Sequence, residues 1–277
     1  MSSSGTETRV RAHNFAEASE NKMHSDETAT RYGFAGGLVP GVGVYAYMTV
    51  PVVHALGMAW LERGTMTGKF IKPVYHGEEV RVVAKSVAAD VPTIEMSVFN
   101  SADVLCAVGE AALPTEAAAI VDPGRHGHAP MPAKEARLEP SVDALPVGLL
   151  LGSLDWVMGL GKADGEFGTV FADDVCDPLP IYKGAGAMCH PAYITARANA
   201  LLMANVALGP WIHTASRVRH VALPRDGEPV SLRGYVSAAA RKKGHEMVDV
   251  DLVWSGGSGR ELGHIVHSAI VRPGLAN

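Results

Sequence analysis

The sequence predicts an α+β protein built from two tandem copies of one module, and three observations indicate this. Pro follows Trp after thirteen positions in both halves, as Trp60 and Pro73 and as Trp211 and Pro224. A Gly-Glu-x-Val turn into a β-rich run follows each Pro, and a long apolar stretch precedes each Trp. Because these features recur in the same order, we interpret them as an internal duplication.

Each copy is predicted to hold one buried helix followed by a meander of strands. The helices are expected near 41–57 and 191–207, where Ala, Leu, Met, Tyr and Val predominate on nearly all sides. Alternating apolar and polar residues after each helix predict antiparallel strands separated by tight turns. A further strand is expected before each helix, near 8–15 and 166–172. One helix with such a meander is an α+β module.

The region between the copies is rich in Pro and has no hydrophobic period. It is typical of a linker that crosses the surface. The predicted organisation is therefore an N-terminal module at 1–115, a linker at 116–150 and a C-terminal module at 151–277.

Composition narrows the function classes. With 47% hydrophobic and 19% charged residues, the 277-residue chain can bury a core. Its formal charge of −5 offers no basic excess for nucleic acid or a membrane surface. Three widely spaced cysteines indicate neither a disulfide framework nor a zinc site. The N-terminus does not resemble a signal peptide, and polar residues, Gly and Pro interrupt the apolar stretches, so a cytoplasmic protein without a membrane span is expected.

One segment carries a recognisable pattern. Residues 19–26 read Ser-Glu-Asn-Lys-Met-His-Ser-Asp and are followed by Ala29, by Gly33 and Phe34, and by Gly-Leu-Val-Pro-Gly at 37–41. In this order they resemble the signature of the MaoC-like (R-specific enoyl-CoA hydratase) family. That signature is close to Gly-Asp-x-Asn-Pro-hydrophobic-His, then Asp and Ala, Gly-Phe, and a Pro/Gly turn into the central helix.

The resemblance implies a double hotdog fold, in which each copy is an antiparallel sheet wrapped around a long central helix. It also implies two long sheets packed face to face, with a site in the crevice between the copies. Gly77 and Glu78 resemble the family's turn after the helix. Together with the degenerate second copy, the resemblance covers most of the chain.

Catalytic roles are carried over residue by residue. His24 stands at the family's catalytic histidine and Asn21 at its asparagine, where it is expected to position the water or the substrate carbonyl. Ser19 occupies the position of the acidic catalytic partner. In the second copy Pro180 stands where the histidine would be, so that copy is expected to be catalytically empty and to shape the acyl pocket.

Replacing the missing carboxylate leaves three candidates, Glu17, Glu20 and Asp26. Glu20 is adjacent to the motif but can face the opposite side of an extended segment. Asp26 either serves the catalytic histidine or caps the next turn. A working hydratase predicts a carboxylate within hydrogen-bond reach of His24 or its water, whereas a binding module predicts none.

The start of the first helix is the expected substrate-binding element. Free N–H groups around Gly41 and Val42, directly after Pro40, together with the helix dipole, favour the negative charge of an oxyanion. Phe34 belongs to the matched pattern and is expected at the substrate. His190 stands at the start of the second helix, at the position that corresponds to Pro40 and Gly41 in the first copy, and is expected to line the shared crevice.

The predicted function is a hydro-lyase of fatty-acid metabolism that adds water to, or removes it from, an enoyl thioester with coenzyme A as carrier. The alternatives are changed chemistry (a thioesterase, an isomerase or a dehydratase of a small molecule without coenzyme A) and a non-catalytic acyl-binding subunit. No cofactor is implied, and no metal site is expected from His126 and His128, which supply only two ligands. Association into a homodimer of double hotdogs is left open. Five further histidines carry no motif and are assigned no role: His54, His213, His220, His264 and His267.

Overall fold

The computed structural model describes residues 5–116, 125–160 and 169–274. The helices are α1 (Asp26–Arg31), α2 (Gly41–Arg63), α3 (Thr169–Asp174) and α4 (Tyr193–Asn205). The strands are β1 (Thr6–Arg11), β2 (Thr65–Phe70), β3 (Glu79–Val87), β4 (Thr93–Phe99), β5 (Leu105–Ala112), β6 (Leu154–Val157), β7 (Ile212–His220), β8 (Pro229–Lys242), β9 (His245–Ser255) and β10 (Glu261–Arg272).

All of these strands form one ten-stranded sheet in the order β1-β3-β4-β5-β2-β7-β10-β9-β8-β6. The two halves of the sheet have the same strand order when each is followed inward from its outer edge: β1, β3, β4, β5, β2 and β6, β8, β9, β10, β7. An internal duplication predicts this symmetry. The expectation of two sheets packed face to face is wrong. The sheets are joined edge to edge because β2 pairs antiparallel with β7, with Thr65 opposite Arg219 and Gly68 opposite Ser216. This pairing satisfies the backbone of two strands that would otherwise be exposed edges.

Helix α2 is the central helix and contacts strands of both halves, including β3, β5 and β7. Glycines in the sheet let it approach closely. A Cβ on Gly109 would lie 2.2 Å from Met48 Cε, and one on Gly68 would lie 2.9 Å from Tyr45 Cδ2. The helix continues past the predicted end at 57 to Arg63, through a kink at Gly57 (φ 65°).

At 23 residues α2 is long and apolar enough to cross a membrane, contrary to the expectation that its apolar stretch was too short. Two thirds of its most apolar window, however, is buried inside the protein. That burial is typical of a core helix, and the uniformly apolar sequence follows from contact with strands on several sides.

The segment before the second helix differs from the sequence prediction. Residues 166–168 lie outside the described residues, and from Thr169 the chain is helical rather than extended. Phe171, Ala172 and Val175 are all buried, which is a helical spacing. The strand that matches β1 is instead β6, which pairs with β8 as β1 pairs with β3.

Part of the predicted linker, 125–150, is described, whereas 117–124 lie outside the described residues. Leu145 is fully buried. The Leu138 N–H donates to the Asn205 carbonyl, and its own carbonyl accepts from the Ala207 N–H. This stretch therefore packs at the end of α4. The division at 1–115, 116–150 and 151–277 stays a prediction.

Two methionines of α2 test how much the central helix depends on its buried side. Met48 is fully buried, and Met58 is 40% exposed. We expect Met48→Ala to lower the free energy of unfolding by about 2–5 kcal/mol, because it leaves a cavity beneath the sheet. Met58→Ala makes the same chemical change at the surface and should cost less than about 0.5 kcal/mol. Urea unfolding of both variants measures the difference, and equal losses would contradict this packing.

Candidate active site

A cavity of about 250 Å³ lies between the two halves. The first half contributes His24, Phe34 and residues 38–41 to its wall, and the second half contributes Asn199 and residues 211–214. The remaining lining is mainly apolar. The cavity is where the sequence predicted a shared crevice.

The start of α2 forms one wall. Pro40 precedes the helix in an extended conformation, and its carbonyl accepts from the N–H groups of Gly43 and Val44. The N–H groups of Gly41 and Val42 come before any acceptor in the helix. Pro40 and Gly41 line the cavity, whereas the Val42 side chain is buried and does not line it. The partial positive charge of the helix start therefore faces the cavity at Gly41.

His24 is held in a defined tautomer. It ends a single 3-10 turn, Lys22–His24. Its Nδ1 lies 2.7 Å from the Leu38 carbonyl oxygen. Because a carbonyl only accepts, Nδ1 carries the hydrogen and Nε2 is the bare nitrogen. Burial lowers the pKa of His24, and the Leu38 hydrogen bond partly opposes this. His24 is therefore neutral near pH 7, with a lone pair on Nε2.

Asn21 connects the turn that carries His24 to the second half through hydrogen bonds. Its Nδ2 donates to the Trp211 carbonyl (3.1 Å) and to His24 Nε2 (3.2 Å). Its Oδ1 accepts from the Trp211 and Met23 N–H groups, each at 3.2 Å. An amide has two donors and two acceptor positions, and all four are used. Asn21 thus orients His24, rather than holding a substrate carbonyl or water as expected from the sequence.

Ser19, Glu20 and Asp26 do not line the cavity. Ser19 donates through Oγ to the Asn21 carbonyl, and Asp26 accepts from the Gly37 N–H at 2.7 Å, in the loop between α1 and α2, so it neither contacts His24 nor caps a helix. Glu20 forms exposed ion pairs with Lys134 and Arg137. Among the described residues that line the cavity, none is acidic.

His190 also lies away from the cavity. It is buried, with Nε2 donating to Asp177 Oδ2 at 2.8 Å and Nδ1 accepting from the Ala192 N–H. Asp177 in turn accepts from the Leu179 N–H. These bonds turn the His190 ring into the second half instead of toward the crevice.

His213 lines the cavity although the sequence assigned it no role. It is 6% exposed, and a Cβ added to Gly41 would lie 2.8 Å from its Nδ1. Two other second-half residues at the cavity, Asn199 and Trp211, were also missed. Trp211 was recognised only as a marker of the repeat, and no motif assigns any of the three a place at the cavity, because their contacts are made across the two halves. These contacts arise from the pairing of β2 with β7, and local patterns within one half do not predict that pairing.

A second histidine cluster lies elsewhere. His126 Nε2 and His264 Nε2 both contact Asp251 Oδ1, at 2.8 and 2.7 Å, and the three possible ligand atoms lie within 4.8 Å of one another. Arg219 Nη2 lies 3.5 Å from His264 Nδ1, so Nε2 is the protonated nitrogen. A metal ion would need that nitrogen without its hydrogen. The cluster therefore fits hydrogen bonds from the two histidines to Asp251. Burial alone would raise the pKa of Asp251, but these hydrogen bonds outweigh it and lower that pKa.

The amino-acid sequence matches no protein-family model and no curated protein. Solved structures match over nearly the whole chain. A MaoC-like dehydratase is 13% identical, with 98% of both chains covered and a TM-score of 0.61. A conserved Mycobacterium tuberculosis protein with a double hotdog fold is 13% identical, with 96% of both chains covered and a TM-score of 0.60. A Lactobacillus plantarum protein described as an oleoyl thioesterase is 10% identical, covers 99% of this chain and 98% of its own, and has a TM-score of 0.55.

These likenesses confirm the tandem hotdog fold predicted from the sequence. The resemblance to MaoC-like proteins is confirmed at the level of the fold. Because both dehydratases and thioesterases share the fold, the reaction has to be argued from the site.

The Asn21 contact makes the pKa of His24 testable. In the wild type we expect a midpoint below 6.5, so the fold loses stability as pH falls below about 6.5 and the histidine must gain a proton. Asn21→Asp places a carboxylate at Nε2 and should raise this pKa. Asn100→Asp, in the turn between β4 and β5, is the matched control and should leave it unchanged. NMR titration of the His24 ring measures all three; an unchanged midpoint in Asn21→Asp would contradict the contact.

Proposed function

We propose that this protein is a hydro-lyase that adds water to, or eliminates it from, an acyl thioester, with coenzyme A as the carrier. One observation carries the proposal: the start of α2 and a neutral His24, whose Nε2 carries no hydrogen and accepts from the Asn21 amide, line the same cavity between the halves. A general base and an oxyanion site are two of the elements that water addition to an enoyl thioester needs, and the third is a proton donor for the α-carbon.

The chemistry follows from these two elements. A water that displaces the Asn21 N–H from the lone pair of His24 Nε2 gives a proton to that nitrogen as the water oxygen bonds to the β-carbon of the substrate. The electron pair of the double bond then moves toward the thioester carbonyl, whose oxygen gains negative charge. The N–H groups of Gly41 and Val42 stabilise this oxygen, and the dipole of α2 adds to the effect. Hydration is complete when the electron pair of the enolate takes up a proton at the α-carbon and the thioester carbonyl forms again.

The lining fits an acyl thioester. Phe34, Val44, Phe70 and Ile270 supply apolar surface for a short acyl chain. Lys72 also lines the cavity and is exposed, so its ammonium group can meet the phosphates of a carrier at the opening. A short-chain substrate suits the volume of about 250 Å³.

A non-catalytic acyl-binding protein is the second candidate. The observation that favours it is the lack of a carboxylate among the described cavity residues, because a hydratase of the resembled family uses one beside its histidine. Hydrolysis of the thioester is a further alternative, since a thioesterase shares the fold. The three functions give different products from one substrate, so a single assay separates them.

Crotonyl-CoA tests the proposal. We expect the wild type to remove the enoyl absorbance without releasing a thiol, and His24→Gln to reduce this rate by about 10²–10⁴-fold because the general base is lost. His54→Gln is the matched control; His54 is exposed on α2 and should be dispensable. Ultraviolet absorbance follows the double bond and a thiol-reactive dye follows hydrolysis. Thiol release would indicate a thioesterase, and binding without turnover would indicate the acyl-binding protein.

A further inference from the structure

We infer that His213, contributed by the second half, removes and returns the α-proton of an acyl thioester bound at the start of α2. The inference rests on the proposed function, because it assumes that an acyl thioester occupies this cavity. It assigns the second half a catalytic group in place of the purely pocket-shaping role that the sequence predicted.

Position is the first argument. His213 is the second residue of β7, and its ring lies against the first residue of α2, with Nδ1 2.8 Å from where a Cβ on Gly41 would be. The Phe70 ring holds it edge to face, with the centroids 4.8 Å apart. A thioester oxygen bound to the free N–H groups of α2 has its α-carbon only two bonds away. The α-carbon therefore lies in the space beside His213 Nδ1.

The tautomer is the second argument. His213 Nε2 lies 3.1 Å from the Ala215 carbonyl oxygen and 2.8 Å from Ser216 Oγ. The carbonyl can only accept, so Nε2 carries the hydrogen and Nδ1 is the bare nitrogen. Burial, reinforced by neighbouring His267, lowers the pKa of His213 well below its usual value. The ring is thus neutral and can accept a proton at Nδ1.

The state of Nδ1 is the third argument. Within the described part of the chain this buried atom has no hydrogen-bond partner. Buried polar atoms are nearly always paired, so an exception at a cavity points to a ligand. Two more second-half atoms at the same cavity share this property, the Asn199 amide oxygen and the Trp211 ring N–H. The second half therefore places three buried polar atoms, which have no hydrogen-bond partner among the described residues, on residues that line the cavity.

Ser216 and His267 hold His213 in place. Ser216 accepts from Nε2–H of His213 and donates to Nδ1 of His267, at 2.9 Å. The two imidazole rings are stacked with centroids 4.0 Å apart. These contacts fix the direction of Nδ1, which is what a base for a weakly acidic C–H bond requires.

The step conserves atoms and charge. The α-carbon–hydrogen bond breaks, the proton moves to His213 Nδ1, and the electron pair forms an enolate whose oxygen is held by the N–H groups of α2. Burial raises the free energy of the positively charged imidazolium. The negatively charged enolate forms beside it at the same time, and the attraction between the two charges offsets that cost. In the reverse step the same nitrogen returns a proton to the α-carbon. Elimination of water from a β-hydroxyacyl thioester requires this removal.

Hydrogen exchange in heavy water tests the step without hydration. The butyryl group of butyryl-CoA has α-protons but no carbon–carbon double bond and no β-hydroxyl group. The wild type should replace its α-protons with deuterium, detected by mass spectrometry, and His213→Gln should slow the exchange by about 100-fold or more. His220→Gln is the matched control: His220 is also buried on β7 but does not line the cavity, and its variant should exchange like the wild type.

The outcomes separate the two proposals. If the wild type hydrates crotonyl-CoA but does not exchange butyryl-CoA, or if His213→Gln exchanges at the wild-type rate, the role of His213 is overturned and the hydro-lyase stands. If exchange depends on His213 but crotonyl-CoA is not hydrated, the hydro-lyase is overturned and the role of His213 stands.

Folding of the variants is checked by thermal unfolding, because His213 is buried. His213→Ala leaves a space for free imidazole, and added imidazole should restore exchange if the ring acts on the substrate. Rescue is not expected if the ring serves only packing. A folded His213→Ala variant that imidazole leaves inactive would also overturn the inference.

Discussion

The antiparallel pairing of β2 with β7 is the contact on which the rest of the molecule depends. It converts two five-stranded halves into one sheet and gives α2 a strand of the second half to pack on. It also brings the start of β7 to the start of α2. Every cross-half contact at the cavity, from the Asn21 bonds with Trp211 to the approach of His213 to Gly41, needs this register.

Local sequence signals predicted the elements that depend on local order. The apolar helix, the turn at Pro40 and Gly41, and the repeated Trp and Pro spacing were readable because their periods and turn residues are short-range properties. The helix ends were less predictable. Gly57 has low helix propensity and a non-helical backbone, so it interrupts α2 where the sequence predicted its end, and only the continuation to Arg63 was not predicted.

The site was only partly predictable for a related reason. His24 could be identified because its neighbours along the chain form a pattern, whereas His213 acquires its position from a partner strand remote in sequence. Likewise His190 was expected from the sequence to line the crevice, but its ring is satisfied by Asp177 inside the second half. Whether a histidine faces a cavity depends on its hydrogen-bond partners. Those partners are remote along the chain, so short-range sequence patterns do not reveal them.

The unequal length of the two central helices has a consequence for how the halves diverged. In a symmetric dimer each crevice is a copy of the other, and a change in one appears in both. Within one chain, α4 ends at Asn205 while α2 continues to Arg63. Strand β7 therefore begins directly after Trp211, whereas β2 begins five positions after Trp60. Glu62, the counterpart of His213, stays exposed on the helix. Within one fused chain the two crevices can therefore differ in shape and in residues, a freedom that identical subunits do not have.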